Sequence, residues 1–312
     1  MTRVGAVIVM WIALVALPFW LPWIGGYTAL GSKVLIYAIA TMGLNLVLGF
    51  TGGLSFGQAA YFGLGAYGAG MTLKYLAPST PLAILVGTLA GGLAATLLGP
   101  LVMRRRGIYF AMITIAIGQL FYFVVVRWNE VTGGEDGLAG FSRQDIHLGS
   151  WVYRLTENNF YYLVLVCFTI AVAIMWTILQ SPLGHTWVAI RENRRRIEFL
   201  GVHVERYVWA AFAVAGTVTA FAGTLNALLF NFTSPQDLHW ILSGNFVIMI
   251  VLGGMRSFFG PLIGVVIFVV AQDYLSSVTG NWMTFIGMIF VLIVLLFPKG
   301  ILGVFNRRAA TT

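Results

Sequence analysis

Asn45, Ser55, Gln58, Thr114, Gln119 and Asn226 are hydrogen-bonding side chains set inside long apolar stretches. None is charged. Uncharged donors and acceptors can exchange hydrogen bonds with a polar solute without trapping it by charge, and they can equally join neighbouring helices. Ser55 and Gln58 are three apart and share a helix face. Asn45, Ser55, Gln58 and Thr114 are the candidates for lining a pathway.

A second constellation is charged. Residues 188–201 read Val-Ala-Ile-Arg-Glu-Asn-Arg-Arg-Arg-Ile-Glu-Phe-Leu-Gly, a basic stretch with apolar residues at near-helical spacing. One reading is a solvated loop touching anionic lipid, for which the order of residues is immaterial. The other is a docking element for a partner, which should need the ordered pattern of Glu198, Leu200 and Gly201.

Other chemistry is missing. A phosphate-binding P-loop needs Gly-Lys-Ser/Thr, and Lys33, Lys74 and Lys299 follow Ser32, Leu73 and Pro298. ATP use therefore requires another subunit, and no cofactor is expected on this chain. His147, His185, His203 and His239 are not paired at ligand spacing, so no metal site is expected. No Ser/His/Asp arrangement can be argued, so the chain is not read as an enzyme. Ion-coupled transporters bury ionisable groups at mid-membrane. Asp273 is the nearest candidate, about a turn from the end of its apolar stretch, where an interfacial carboxylate is the simpler reading. Cys167, alone in an apolar run, reads as a small packing residue.

The elements that carry these residues follow from composition. Of 312 residues, 59% are hydrophobic and 9% charged, against roughly 25% charged in soluble domains. Lipid is the solvent that explains the difference. The expected architecture is all-α, an integral membrane protein forming a single transmembrane domain over residues 1–312. Ten spans are read at 4–24, 34–50, 56–76, 82–103, 108–126, 160–180, 208–230, 242–255, 258–277 and 282–297, the first taken as a retained helix. Residues 127–159 form a polar outer loop and 181–207 an inner one. Very short joints at 51–53 and 255–257 leave broken or re-entrant helices as alternatives there.

The net charge of +8 invites a nucleic-acid reading, but its distribution argues for a membrane. With both ends inside, the inner side holds Arg3, Arg104, Arg105, Arg106, Arg191, Arg194, Arg195, Arg196, Arg206, Arg256, Lys299, Arg307 and Arg308. The outer side holds Lys33, Lys74, Arg127, Arg143 and Arg154. Cytoplasmic loops retain Lys and Arg, so this split supports ten helices with both ends cytoplasmic. The 37 glycines, concentrated in the spans, suit close helix packing. A faint echo links residues 48–57 with 252–260, and is read as a weak sign of duplication.

Taken in order, several blocks resemble one family. They are Gly43 to Tyr67, Arg106 to Thr114, Thr132-Gly133-Gly134 with Asp136-Gly137-Leu138, and Ser181-Pro182-Leu183-Gly184. Ala189 to Asn193, Leu200-Gly201, Gly253-Gly254, Gly260-Pro261 and Pro298-Lys299-Gly300 complete the series. The chain resembles the permease subunits of branched-chain amino acid ABC importers of the LivH/LivM type, and most the LivM type. The resemblance implies a bacterial inner-membrane importer subunit working by alternating access. Its partners would be a second permease, two cytoplasmic ATPases carrying ATP and Mg, and an extracytoplasmic binding protein. The resemblance then makes residues 181–207 the ATPase-coupling loop, with Arg191, Glu192, Glu198, Leu200 and Gly201 as its coupling residues. Arg194-Arg195-Arg196-Ile197 departs from the family's usual Glu-x-Ala-Ala-like stretch and points to a partner with an acidic docking cleft. Branched-chain amino acids are the first choice of solute, with urea, short amides or aromatic acids as alternatives. A stand-alone ion-coupled transporter or channel, or a scaffold without a pathway, are the competing readings.

Overall fold

A computed structural model describes residues 11–21, 25–148, 151–296 and 300–301. The chain is helical almost throughout. A short turn of helix, Leu17–Trp20, precedes ten labelled helices. They are α1 (Thr28–Asn45), α2 (Gln58–Met71), α3 (Thr80–Val102), α4 (Ile108–Arg127), α5 (Glu157–Gln180), α6 (Pro182–Phe199), α7 (Val204–Phe230), α8 (Trp240–Gly253), α9 (Gly260–Val278) and α10 (Trp282–Leu296). Among the described residues, six stretches are long and apolar enough to cross a bilayer: Thr28–Thr51, Thr80–Val102, Ile108–Arg127, Glu157–Gln180, Val204–Phe230 and Gly260–Val278. Of the expected first span, 4–24, only residues 11–21 are described, and the rest lies outside the described residues.

Two helices widen into π-turns, α1 over Leu46–Thr51 and α2 over Thr72–Leu76. The first ends where Gly52 takes a left-handed conformation (φ 80°), which a side chain would resist. The chain then runs without helix to Gln58. The expected joint at 51–53 is therefore a break of about six residues, and the helix after it starts within the protein.

α7 lies at the centre, against α1, α2 and α3. The glycines explain how. A methyl group on Gly65 would collide with the Ala220 carbonyl, and one on Gly223 with the Phe62 carbonyl. Gly87 and Gly91 of α3 likewise press on Gly65 and Ala220. Lipid provides no hydrophobic drive between helices, so such backbone-close packing supplies the contact energy. On the outer face of α3, Leu85, Leu89, Leu93 and Leu97 are exposed at four-residue spacing, a face suited to lipid.

The loop expected over 127–159 holds more structure than foreseen. Strands β1 (Ile146–Leu148) and β2 (Trp151–Tyr153) pair antiparallel with Ile146 opposite Tyr153. Their β-branched and aromatic residues around a Gly-Ser dipeptide carry a hairpin signal in the sequence. Leu138 pairs with Thr233, fastening this loop to the segment between α7 and α8.

Contacts sort the charges into two ends. At one end, Arg106 meets Glu198, and Arg191 shares a cavity with Arg256. At the other, Tyr27 donates to Asp273, Asp145 accepts from the Leu155 N–H and Arg143 donates to the Leu155 carbonyl.

Candidate functional site

The basic end is built around α6. Its N-terminal half is anchored: Trp187 is fully buried and donates from Nε1 to the Tyr207 carbonyl at 2.8 Å. Ile190 packs with Val204 and Val208 at the start of α7. At Asn193 the backbone leaves the helical region (φ −153°, ψ 89°), and the Asn193 side chain accepts from the Arg196 N–H at 3.0 Å. Asn193 thus caps a second helical segment. That segment ends at Gly201, whose left-handed φ of 80° closes the last turn with open space around it.

The second segment projects apolar and charged groups together. Phe199 is 90% exposed and Leu200 71%. Glu198 accepts from Arg106 at 2.7 Å and from Arg194 at 3.0 Å. The Arg194 hydrogen bond is the chief cause that lowers the Glu198 pKa; desolvation opposes it, and the charges of Arg106 and Arg194 with the Arg106 hydrogen bond keep the net direction downward. Arg106, from the α3–α4 turn, was not among the candidates from sequence. Its partnership joins two loops far apart in the chain, which no local spacing reveals.

Arg191 points inward. Its guanidinium donates to the Gly49 carbonyl in the π-turn of α1. Burial first, then the neighbouring Arg256 charge, lowers its pKa. A cavity of about 330 Å³ lies here, lined by Gly49, Phe50, Val188, Arg191, Glu192 and Arg256. The two segments that echo each other in sequence meet beside it. Gly49 packs on the Met255 carbonyl, and Asn45 donates from Nδ2 to the Ser257 carbonyl at 3.1 Å.

The remaining pathway candidates gather at the start of α2, away from Asn45. Thr114 accepts from the Phe56 N–H at 3.1 Å, and Ser55 from the Gly57 N–H at 3.4 Å. Gln58 is fully buried, and neither its Nε2 nor its Oε1 has a hydrogen-bond partner. Ser243 completes the group by accepting from the Ala59 N–H at 2.8 Å. Sequence reading missed Ser243, although a lone serine in an apolar run is the same signal that singled out Ser55. All four candidates are buried within this chain.

Asp273 accepts from Tyr27 in an exposed setting, as an interfacial carboxylate would. Among the described residues, no group of three or more His, Cys, Asp or Glu side chains could hold a metal ion.

Many apolar helices, broken where buried polar groups collect, and an amphipathic basic segment between two long spans define a multi-pass membrane protein of the transport class. The chain belongs to the family described as branched-chain amino acid transport system / permease component, which it matches over residues 26–297. It is 30% identical over 305 residues to the high-affinity branched-chain amino acid transport system permease protein LivM of Salmonella typhimurium, covering 89% of this chain and 70% of that one. The LivM protein of Escherichia coli is 28% identical, with 89% and 70% covered. The permease protein BraD of Pseudomonas aeruginosa is 23% identical, with 86% and 91% covered. No solved structure matches.

Proposed function

We propose that the chain is a permease subunit of an ATP-driven importer for amino acids, branched-chain ones first, in the bacterial inner membrane. The relatives named for branched-chain amino acid transport support that solute. In this reading ten helices place both ends in the cytoplasm. The basic end faces the cytoplasm, because Lys and Arg are retained there. A second permease completes the pathway, two cytoplasmic ATPases drive it, and a binding protein delivers solute to the acidic end.

The observation that carries the reading is the second half of α6. Nearly naked Phe199 and Leu200, flanked by Arg195 and Arg196, form an apolar tip with a basic rim on a short capped segment. Such a tip fits a partner groove with acidic edges. The first half of α6, clamped by Trp187 and Arg191, receives whatever motion the partner imposes. Alternating access follows if α6 moves with the ATPases and carries the break in α1 with it.

Inverted membrane vesicles containing the chain and the products of its neighbouring genes provide the test. ATP should drive solute movement into the complex's import direction, and ATPase subunits should copurify with the chain. Transport that continues undiminished in preparations lacking every ATPase would overturn the reading. Transport driven by a proton or sodium gradient alone would favour a secondary transporter.

A further inference from the structure

We propose that Arg105, Arg106, Arg191 and Arg194 form a binding site for the phosphate of an anionic lipid headgroup. The four line one cavity of about 210 Å³, set between the break after α1, the α3–α4 turn and α6. Its floor is apolar and buried, made by Phe110, Ile190 and Val208. The Arg191 side chain crosses the break over Gly52, where an added methyl group would meet its Cγ at 3.3 Å. Gly107, also on the lining, leaves one side open, since a methyl group there would meet nothing within 4 Å.

The donors here outnumber their acceptors. Among the described residues, no acidic side chain lines this cavity. Glu198 bonds two of the four arginines, and both reach the same oxygen, Oε1, through Arg106 Nη2 and Arg194 Nε. A guanidinium carries five N–H donors in a fixed fork, so both arginines keep most of theirs for another acceptor. Arg191 commits Nη1 to the Gly49 carbonyl. The Arg105 side chain has no hydrogen bond or ion pair among the described residues. Beyond Arg191, in the neighbouring cavity of about 330 Å³, stands Arg256, facing Glu192. A cleft lined by one sign of charge concentrates counter-ions, and this one is lined by arginine alone.

Phosphate is the anion that suits such a set, because its several oxygens accept from converging forks and Arg–phosphate pairs are often bidentate. The surroundings favour a lipid as its source. The exposed leucine ridge of α3 continues to Leu101, four residues before Arg105. Ile108 and Tyr109, which follow Gly107, are 73% and 69% exposed. An acyl chain can lie on this apolar surface while its headgroup enters the cavity. Basic pockets between spanning helices at the cytoplasmic face hold anionic headgroups; the choice of leaflet rests on the orientation proposed above. Free phosphate shares the anion chemistry but has no use for the apolar surface. A bound headgroup would join Arg105 to Arg191 and Arg194, adding a second link between the α3–α4 turn and α6.

The test places the full chain, with the partners that copurify, in nanodiscs of phosphatidylcholine and phosphatidylglycerol in equal parts. Native mass spectrometry then identifies the lipid that the protein retains. The wild type should retain phosphatidylglycerol in preference. Arg105→Gln leaves the Arg191 tie and the Glu198 clamp in place, and should lower that preference about fivefold. Arg105→Lys should keep part of it. Arg104→Gln removes the same charge one residue away, from a side chain that does not line the cavity, and should keep all of it. Equal loss in Arg104→Gln and Arg105→Gln would mean diffuse surface charge and overturn the proposal. So would a wild type without preference that inorganic phosphate stabilises in phosphatidylcholine alone, or one that responds to neither. If Arg105→Gln yields no protein, a photoactivatable phosphatidylglycerol headgroup decides on the wild type. Labelling should fall within residues 105–110 and 190–194, and labelling only elsewhere would overturn the proposal. A chain that retains the lipid as expected but never copurifies with an ATPase would refute the importer reading and leave this site standing.

Discussion

The Arg191 guanidinium donates to the Gly49 carbonyl, so the basic helix α6 is tied to the π-turn that ends α1. A π-turn leaves backbone carbonyls without regular helical partners, and Gly49 is one that a side chain can hold. Through Asn45 and Ser257 the same turn is joined to the α8–α9 break.

Arg191→Ala should therefore disconnect α6 from the breaks while leaving the projecting tip untouched. ATP hydrolysis should persist, and solute moved per ATP should fall about tenfold, equivalent to ~1.4 kcal/mol of lost coupling. Arg191→Lys can supply a point charge but not the planar fork, and should recover part of the loss. Parallel assays of hydrolysis and uptake decide it: a proportional drop in both would mean that Arg191 serves assembly instead.

Glu198 holds Arg106 and Arg194 on the solvent face, with its pKa lowered chiefly by the Arg194 hydrogen bond. A lowered carboxylate pKa means that the clamp is intact above the ordinary carboxylate range. It is lost only as pH falls through the depressed folded-state value. Partner binding through α6 should thus be flat across neutral pH and weaken in strong acid. Glu198→Gln should weaken that binding at neutral pH and leave the melting temperature unchanged. Co-purification yield across pH, for both forms, measures this. A titration near neutral pH in the wild type would assign the response to another group.

Much of the helical frame was legible because lipid imposes long apolar runs. The span read at 108–126 emerges as Ile108–Arg127, and that at 82–103 as Thr80–Val102. The breaks were only half legible. Gly52-Gly53 announced an interruption, but its six-residue length depends on Phe56 and Ala59 finding Thr114 and Ser243 as acceptors. The segment before α8 was hidden for a similar reason. Ser234 and Pro235 signal a capped turn, while the burial of that turn is set by Leu238 on Gly63. Long-range contacts of this kind leave no local pattern. Arg106 with Glu198 is a third case, 92 residues apart.

Gly223 and Gly244 make a controlled comparison within the apolar helices. A methyl group on Gly223 would strike the Phe62 backbone, which cannot yield as a flexible side-chain end does, whereas one on Gly244 meets open space. Gly223→Ala should destabilise the protein by about 1–3 kcal/mol through overpacking. Gly244→Ala should be neutral or slightly stabilising, since alanine favours the helix. Thermal unfolding in detergent reads both. Equal melting temperatures for the two variants would show that α2 and α7 can part at no cost.

Gln58 separates structural polarity from functional polarity. Its side-chain amide is fully buried at the first turn of α2 with neither atom bonded. An unmet buried amide costs about 1–3 kcal/mol, so Gln58→Leu, close in volume, should raise thermal stability. A residue kept only for packing would show that gain with transport intact. A residue that bonds the solute as the breaks shift would show the gain together with reduced uptake, and this second outcome is expected. Transporters commonly bind solutes at mid-membrane where helices are discontinuous, α2 starts at such a break, and Ser55, Thr114 and Ser243 already spend their bonds on backbone groups. Gln58 alone of the four is left with both polar atoms unbonded. Uptake and melting temperature measured on one preparation test the pair of effects, and a more stable variant with wild-type uptake would remove Gln58 from the pathway.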